Sequence, residues 1–473
     1  MRETPRPLVD TSMTMPERDC AVADSVERAE TAAQSTADFL RKLFRLLNKH
    51  EVRYCVIHSW ERLPEHLGSD LDLAVHPGDK TRITSIIESL KASNYCAYQW
   101  SNYITNGHSF YFYWVAGGKV NTVPVDIIFE DRRSGMIMAS GEEFVAGRVP
   151  HGDFWVASPE MEFSYLLVKK ANKGKVSSSQ TLRLQRLAQC LGRESAESIV
   201  GKVFRKDLKT RIVKACLDGS IDQVFTDLKE EDWQTAPSTR LLRTIRYWGG
   251  QFRRAIWRTS HPIGILVSVL GPDGVGKSTV LEGLATAFSV PLRRRSLFHW
   301  RPQVLAKRKD NRPVTDPHGR SPRGSLASMA YLSVFFADCW AGYLFVIKPR
   351  LVRAGFVQFD RYFHDVLVDP RRYRYGGPQW FAKLLCRLLP EPDLVILLDA
   401  NEDLILSRKT ELTRAEIQRQ RKAYAELRFQ RAKEVCVRTD AGIPQTLEAS
   451  ATAVAEFMKQ RFDKRIGHWM NVA

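Results

Sequence analysis

The chain has 473 residues, about three times the length of a common domain, so two or three domains and a large core are expected. Hydrophobic residues make up 44% and charged residues 26%, which excludes a wholly disordered, collagen-like, coiled-coil or multi-span membrane protein. The net charge of +18 is unevenly spread, because residues 1–250 hold 34 Lys/Arg against 32 Asp/Glu whereas residues 251–473 hold 37 against 21. That basic excess in the second half suits a polyanion, whether nucleotide, nucleic acid, sugar phosphate or anionic membrane.

Residues 1–34 mix acids, bases and prolines without an apolar stretch, and a flexible tail rather than a secretory signal is expected there. Apolar groups at i, i+3 and i+4 mark a helix over 36–49. Residues 53–58 and 71–75 read as short strands, 81–93 as a helix, and 109–115 with 120–129 as a hairpin across the glycines at 117 and 118. Residues 35–175 thus form a small α+β domain. Helical periodicity from 159 to about 260, broken at Gly192, Gly219 and Pro237, makes 176–260 a helical connector completing the first domain. A second domain, 261–473, opens with the apolar run 263–270, a glycine-rich turn and a helical pattern over 278–288. Further buried strands are expected at 355–359 and 394–398, with late helices at 402–408, 416–435 and 447–461, giving a parallel sheet wrapped by helices. The fold class expected is therefore α/β, an N-terminal α+β domain with a helical connector followed by a C-terminal parallel-sheet domain. Eight scattered cysteines with no CxxC pair fit a reduced, cytoplasmic setting. Residues 328–347 are long and apolar enough to cross a bilayer. Asp338 in their middle would cost several kcal/mol in lipid, so a helix inside the second domain is expected and a membrane span is not.

Two constellations carry chemistry. In the first, GSDLDLAV at 68–75 places Asp70 and Asp72 two apart in a strand, so both carboxylates leave the same face and can share divalent metal. Asp126 is the lone acid of a later apolar strand, VPVDIIF, and is the candidate third ligand. GSDLDL with a separate strand aspartate resembles the nucleotidyltransferase superfamily of the DNA polymerase β type, over about residues 36–175. The resemblance implies that Gly68 and Ser69 approach a triphosphate, that Asp70 and Asp72 bind metal, and that Asp126 helps to activate an acceptor hydroxyl. His58-Ser59, at the end of the preceding strand, occupies the usual place of the family's Gly-Ser turn. Lys169 and Lys170 are read as a solvated helix face that could reach phosphate.

In the second constellation, GPDGVGKS at 271–278 satisfies GxxxxGK[ST] between a buried strand and a helix. Gly271, Gly274 and Gly276 let backbone N–H groups converge on phosphate, Lys277 reaches the β and γ phosphates, and Ser278 or Thr279 helps to hold Mg²⁺. Lys277 is expected to face solvent in the empty site. FHWRP at 298–302, QFDRYFHD at 358–365, PDLVILLD at 392–399 and an arginine-rich helix follow in order. This order resembles the thymidylate kinase-like branch of nucleoside monophosphate kinases, over about residues 264–460. By that resemblance Asp273 is the acid of the cradle, Arg301 meets the acceptor's phosphate, and Asp360 with Arg361 is the DR pair. The cradle lacks a basic residue between its outer glycines, so the run Arg408, Arg414, Arg419 and Arg421 must supply charge, and Arg414 and Arg419 are expected to face inward. After DRY the chain offers Arg371, Arg372, Tyr373, Arg374 and Tyr375 where a thymidylate kinase recognises its base, which favours a phosphorylated, polyhydroxylated or nucleic acid acceptor over dTMP.

Together the two resemblances imply a cytoplasmic enzyme using ATP and Mg²⁺, a kinase fused to a nucleotidyltransferase-like domain. Its acceptor would be a nucleotide, sugar or sugar phosphate, as in polysaccharide precursor synthesis. Nucleic acid end-processing and a non-catalytic nucleotide-binding regulator are the alternatives. The first is not favoured because no nucleic-acid-binding module is recognisable.

Overall fold

The computed structural model describes residues 35–104, 107–116, 119–133, 136–228, 237–305, 321–408 and 413–472. The expected tail, 1–34, lies outside them. Two compact units emerge, one of Gly264–Val454 and one of Ala32–Ile263 with Ala455–Ala473.

The N-terminal unit is built on β1 (Tyr54–Val56), β2 (Leu71–Val75), β3 (Cys96–Ile104), β4 (Gly107–Ala116) and β5 (Lys119–Ile128). A separate ribbon pairs β6 (Glu130–Arg133) with β7 (Met136–Ser140), and β8 (Val149–His151) and β9 (Phe154–Val156) complete the main sheet in the order β3-β4-β5-β2-β1-β9-β8. Period-two alternation sorts the side chains. Tyr54, Val56, Leu71, Leu73, Val125 and Ile127 pack against the helices Thr36–Lys49 and Lys80–Lys91. Cys55, Ile57, Ala74 and Ile128 face the opposite core, under the helices Pro159–Ala171, Ser178–Leu191, Arg193–Val203 and Lys209–Leu217. Residues 176–228 form a helical layer of this unit. The sequence signals for β3, β8 and β9 are weak, and these strands were not expected.

The C-terminal unit holds β10 (Ile265–Leu270), β11 (Arg294–His299), β12 (Gly355–Asp360), β13 (Leu394–Asp399) and β14 (Lys433–Arg438), all parallel, in the order β11-β12-β10-β13-β14. The helix expected over 416–435 instead runs Arg414–Glu426. Leu427 turns extended. The backbone N–H groups of Gln430, Arg431 and Ala432 then donate to the Glu391 carboxylate, which delivers the chain to β13 as a strand.

A second correction concerns the end of the chain. The helix Ile443–Val472 leaves the C-terminal unit at residue 454, and Phe462 joins the N-terminal core within 6.3 Å of Phe110. Tyr113 Oη donates to Glu456 at 2.9 Å, Lys91 pairs with Asp463 at 3.2 Å, and Arg461 and Arg465 donate to the carbonyls of Ile263 and Pro262.

The apolar segment around Asp338 is also placed differently from expectation. Ser325–Val352 is one helix long and apolar enough to cross a membrane, and much of its apolar surface is exposed, with Leu326, Val334, Leu344 and Phe345 outward. Asp338 is wholly buried on its inner side, where Arg301 pairs with it at 3.2 Å. The segment is thus a surface helix of the C-terminal unit rather than an interior one.

Candidate functional site

The glycine-rich turn 271–276, the expected phosphate cradle, lies between β10 and the helix Lys277–Ala287. Gly271, Gly274 and Gly276 all take positive φ, and a Cβ on Gly271 would stand 2.5 Å from the Leu398 carbonyl oxygen, so a side chain there is excluded. Lys277 is buried, against expectation. Its Nζ donates to the carbonyls of Gly271 at 2.9 Å and Pro272 at 2.8 Å and approaches Asp273 at 3.3 Å. Burial, then the neighbouring Arg361, pulls its pKa down to about 8 against the pull of Asp273. Ser278 and Thr279 are exposed at the mouth of the cradle.

Asp273 collects three cations: Lys277, Arg361 and Arg372, the last at 2.6 Å. Burial alone would raise its pKa, yet these charges hold its carboxyl well below the usual range. Arg361 adopts φ 71 and is fixed by Asp365 at 2.7 Å and by Asp273, while Tyr373 and Tyr424 donate to Asp365. Beside it, Asp360 accepts from His299 at 3.2 Å through Oδ2, and its buried Oδ1 has no hydrogen-bond partner among the described residues. Burial opposes ionisation of Asp360, but His299 and Lys277 keep its pKa low.

Arg301 lies over the Phe335 ring at 4.5 Å and is held by Asp338, which also accepts the N–H groups of Gln303 and Leu305. Its neighbour Trp300 stacks on Tyr373 at 4.3 Å. The arginines expected to line an open cationic cleft diverge. Arg371 is exposed, Arg372 is committed to Asp273, and Arg374, at φ 52, donates to the Ser321 carbonyl. Tyr373 packs inward on Trp300 and Asp365, so the cation-aromatic alternation along the sequence does not become one surface.

The arginine run also differs from expectation. Arg414 pairs with Asp403 at 2.5 Å and Glu402 at 3.5 Å, and Arg419 pairs with Glu416 and donates to the Val368 carbonyl. Arg421 forms a two-pronged pair with Asp399 at 2.7 and 2.9 Å. Arg408 instead stands beside the cradle, its Nη1 4.0 Å from where a Cβ on Gly276 would lie. Its place at the end of the short helix Glu402–Arg408, directly after β13, is the signal that could have singled it out.

In the N-terminal unit, Asp72 and Asp126 are direct register partners across the parallel strands β2 and β5. With Asp70 they bring three carboxylates whose oxygens lie within 4.8 Å of one another, a donor set suited to a hard divalent cation. Burial would raise the Asp72 pKa, but His58 at 2.7 Å and Lys169 at 3.4 Å bring it to about 2. Asp126 is pushed up to about 7 by burial and by the neighbouring aspartates, against a hydrogen bond from Ser109. Ser69 donates to Asp70, and Gly68 borders open space. Lys169 is not a solvated helix-face residue: its Nζ is 3.1 Å from His58 Nε2 and lies over the Tyr165 ring at 4.9 Å. His58, Ser109 and Lys169 are the residues that spacing alone did not place at the carboxylates. Contact with His58 required the antiparallel pairing of β1 with β2.

No family model matches the chain. It is 29% identical over 141 residues to the thymidylate kinases of Xanthomonas euvesicatoria pv. vesicatoria (strain 85-10) and Xanthomonas campestris pv. campestris (strain B100). The match takes in 29% of this chain and 57% of each relative, so the chain spans a little over half the length of the curated relatives it matches. A solved thymidylate kinase structure from Ehrlichia chaffeensis aligns with 43% of this chain and 98% of its own at 17% identity, with a TM-score of 0.25 that carries no argument. Part of the chain is thus similar in sequence to thymidylate kinases, at low identity.

Proposed function

We propose that the C-terminal unit is an ATP- and Mg²⁺-dependent phosphotransferase of the thymidylate kinase-like type, acting on a small acceptor such as a nucleotide, sugar or sugar phosphate. The observation that carries the reading is the convergence of Lys277, Arg361 and Arg372 on Asp273 beside the unpaired Oδ1 of Asp360. A buried carboxylate oxygen without a partner is costly unless something binds it. Ser278 and Asp360 would hold Mg²⁺, which supplies neutralisation of phosphate charge.

Within this reading the backbone N–H groups of the cradle grip the phosphates. Lys277 exchanges the carbonyls of Gly271 and Pro272 for the transferring phosphate, keeping a cation on it as the acceptor oxygen bonds to phosphorus and the bridging oxygen departs with ADP. Arg361, held by Asp365, is pre-set and needs no reorganisation. Arg408 is a further cation close to the cradle. The test is transfer from γ-labelled ATP to a panel of nucleotides, sugars, sugar phosphates and oligonucleotides, with product masses measured. No labelled product with any small acceptor rejects the reading, and labelled oligonucleotide alone selects end-processing instead.

For the N-terminal unit we propose nucleotidyl transfer by the Asp70, Asp72 and Asp126 cluster, carried by the register pairing of Asp72 with Asp126. Asp126 would take the acceptor's hydroxyl proton, and Lys169 would meet phosphate. Incubating the products of the first assay with each nucleoside triphosphate, and looking for release of pyrophosphate, tests it.

A further inference from the structure

The turn 271–276 is short of positive charge. Between Gly271 and Gly276 it offers only Pro272, Asp273, Gly274 and Val275, so a further cation able to meet a phosphoryl group in flight must come from another segment. The helix expected to supply it is engaged elsewhere: Arg414 with Asp403 and Glu402, Arg419 with Glu416, and Arg421 with Asp399. Arg361 stands at the turn, but its Nη1 is bonded to Asp365 and Tyr424, its Nη2 to Asp273, and only 4% of the side chain is exposed.

Arg372 differs. Its Nη1 meets Asp273 Oδ2 at 2.6 Å, while Lys277 Nζ approaches the other oxygen of the same carboxylate at 3.3 Å. One carboxylate thus sets the guanidinium beside the lysine of the turn. Nε and Nη2 of Arg372 have no hydrogen-bond partner among the described residues, and the side chain keeps 21% exposure. The backbone is also fixed. Arg372 N donates to the buried Asp369 at 3.2 Å, Arg374 N to the Arg371 carbonyl and Tyr375 N to the Pro370 carbonyl, both at 2.9 Å. Tyr373, next in the chain, is anchored by its hydrogen bond to Asp365 and its stacking on Trp300.

We infer that Arg372 is a catalytic residue of phosphoryl transfer, with one edge of its guanidinium held on Asp273 while Nε and Nη2 donate to the oxygens of the transferring phosphate. The inference rests on the kinase reading proposed above. As the acceptor oxygen bonds to phosphorus, the bridging oxygen leaves with ADP and the bonding electrons, and any acceptor proton passes to water. Arg372 neutralises the charge spread over the phosphate oxygens and exchanges no proton. Only a guanidinium can do both, because its rigid fork serves a carboxylate with one nitrogen and a phosphate with the others, whereas an ammonium is a single point of charge. Acceptor binding, the role that its basic neighbours in sequence suggest, would act on acceptor affinity. The role inferred here acts on the transition state.

The test needs no knowledge of the acceptor. Titration calorimetry on the full chain measures Mg²⁺-ADP alone and Mg²⁺-ADP with aluminium fluoride, a planar anion that imitates the phosphoryl group in flight. The proteins are wild type, Arg372→Ala, Arg372→Lys and Arg408→Ala. Wild type should bind ADP more tightly with the fluoride. Arg372→Ala should reduce that gain on the order of 10²-fold while changing the affinity for ADP alone by less than about threefold. Arg372→Lys should lose nearly as much although it can still pair with Asp273, and added guanidinium should restore part of the gain to Arg372→Ala. A gain that survives in Arg372→Ala overturns the inference. So does full recovery by Arg372→Lys, which would reduce the residue to a counter-ion for Asp273, and so do equal losses with and without fluoride, which would mark a misshapen turn. Loss of the gain in Arg408→Ala alone gives the role to Arg408, and a wild type that binds ADP with no gain from fluoride also overturns the inference. All of these leave nucleotide binding in place, whereas a wild type that binds no Mg²⁺-ADP removes the kinase reading itself.

Discussion

Replacing Asp338 by alanine should destabilise the C-terminal unit far more than a typical substitution. The wholly buried carboxylate accepts from Leu305 N at 2.6 Å, Gln303 N at 3.0 Å and Arg301 Nη1 at 3.2 Å, and alanine offers none of these an acceptor. An unsatisfied buried donor costs about 1–3 kcal/mol, and breaking a buried ion pair from one side costs roughly 3–5 kcal/mol. These overlap rather than add, and Arg301 keeps some access to water, so roughly 3–5 kcal/mol is expected in all. In a unit of this size each kcal/mol moves the midpoint by about 2–4 °C, so a fall of roughly 6–20 °C should appear in one calorimetric transition, with the transition of the other unit unmoved. Asp338→Asn keeps one acceptor oxygen and should recover at least half of the loss. If Arg301 meets the acceptor, Asp338→Asn should also raise acceptor KM while leaving that for ATP unchanged. A fall of less than about 2 °C in Asp338→Ala would mean that the 301–305 turn is held by something else, and the reasoning would fail.

Lys277→Ala should lower phosphoryl transfer on the order of 10²-fold or more, about 3 kcal/mol of transition-state stabilisation, and undiminished turnover at saturating ATP would remove the cradle from the mechanism. The pKa of Lys277, lowered to about 8 by burial, means that its positive charge is lost as pH rises through 8 rather than through 10.5. Affinity of the free protein for ATP should therefore fall above pH 8, by about tenfold per unit in the limit where only the charged form binds, and titration calorimetry giving a flat profile between neutrality and strongly alkaline pH would refute this. Asp70→Asn combined with Asp72→Asn should abolish nucleotidyl transfer and leave phosphoryl transfer unchanged, since the two clusters belong to separate units; loss of both activities in the paired assays would count against independent sites.

What the sequence could reveal depended on how local the signal was. The turn GPDGVGKS and the spacing of Asp70 and Asp72 are contiguous, and the strand parity that puts these acids on one face follows from period two. β10, β12 and β13 were legible because each is a run of buried apolar residues. β11 was not, because it is an edge strand that opens on Arg294 and Arg295 with much of its length exposed. β14 was hidden in the same way, since Lys433, Glu434 and Arg438 continue the polar pattern of the helix before it. The arginines show the other limit. Composition made 371, 372 and 374 look like one cationic surface, but backbone geometry turned Arg372 to Asp273 and Arg374 to the Ser321 carbonyl and left Arg371 exposed. Lys169 went the opposite way, from an apparent solvent face to the carboxylates, because a helix crossing the sheet brings it there.

The return of the last helix to the N-terminal core bears on when that core can close during synthesis. Tyr113 waits for Glu456, 343 residues further on, and Lys91 waits for Asp463, 372 residues further on. At about 5–20 residues per second, a ribosome delivers these partners roughly 20–70 s after the strands they complete. Through that interval the face around Phe110 must persist without Phe462, while the entire C-terminal unit is made and begins to fold. The first unit to emerge is therefore the last to be finished. Chaperone dependence, or sensitivity to a nonsense codon late in the message, would fall on the N-terminal unit although every residue of its sheet had been translated.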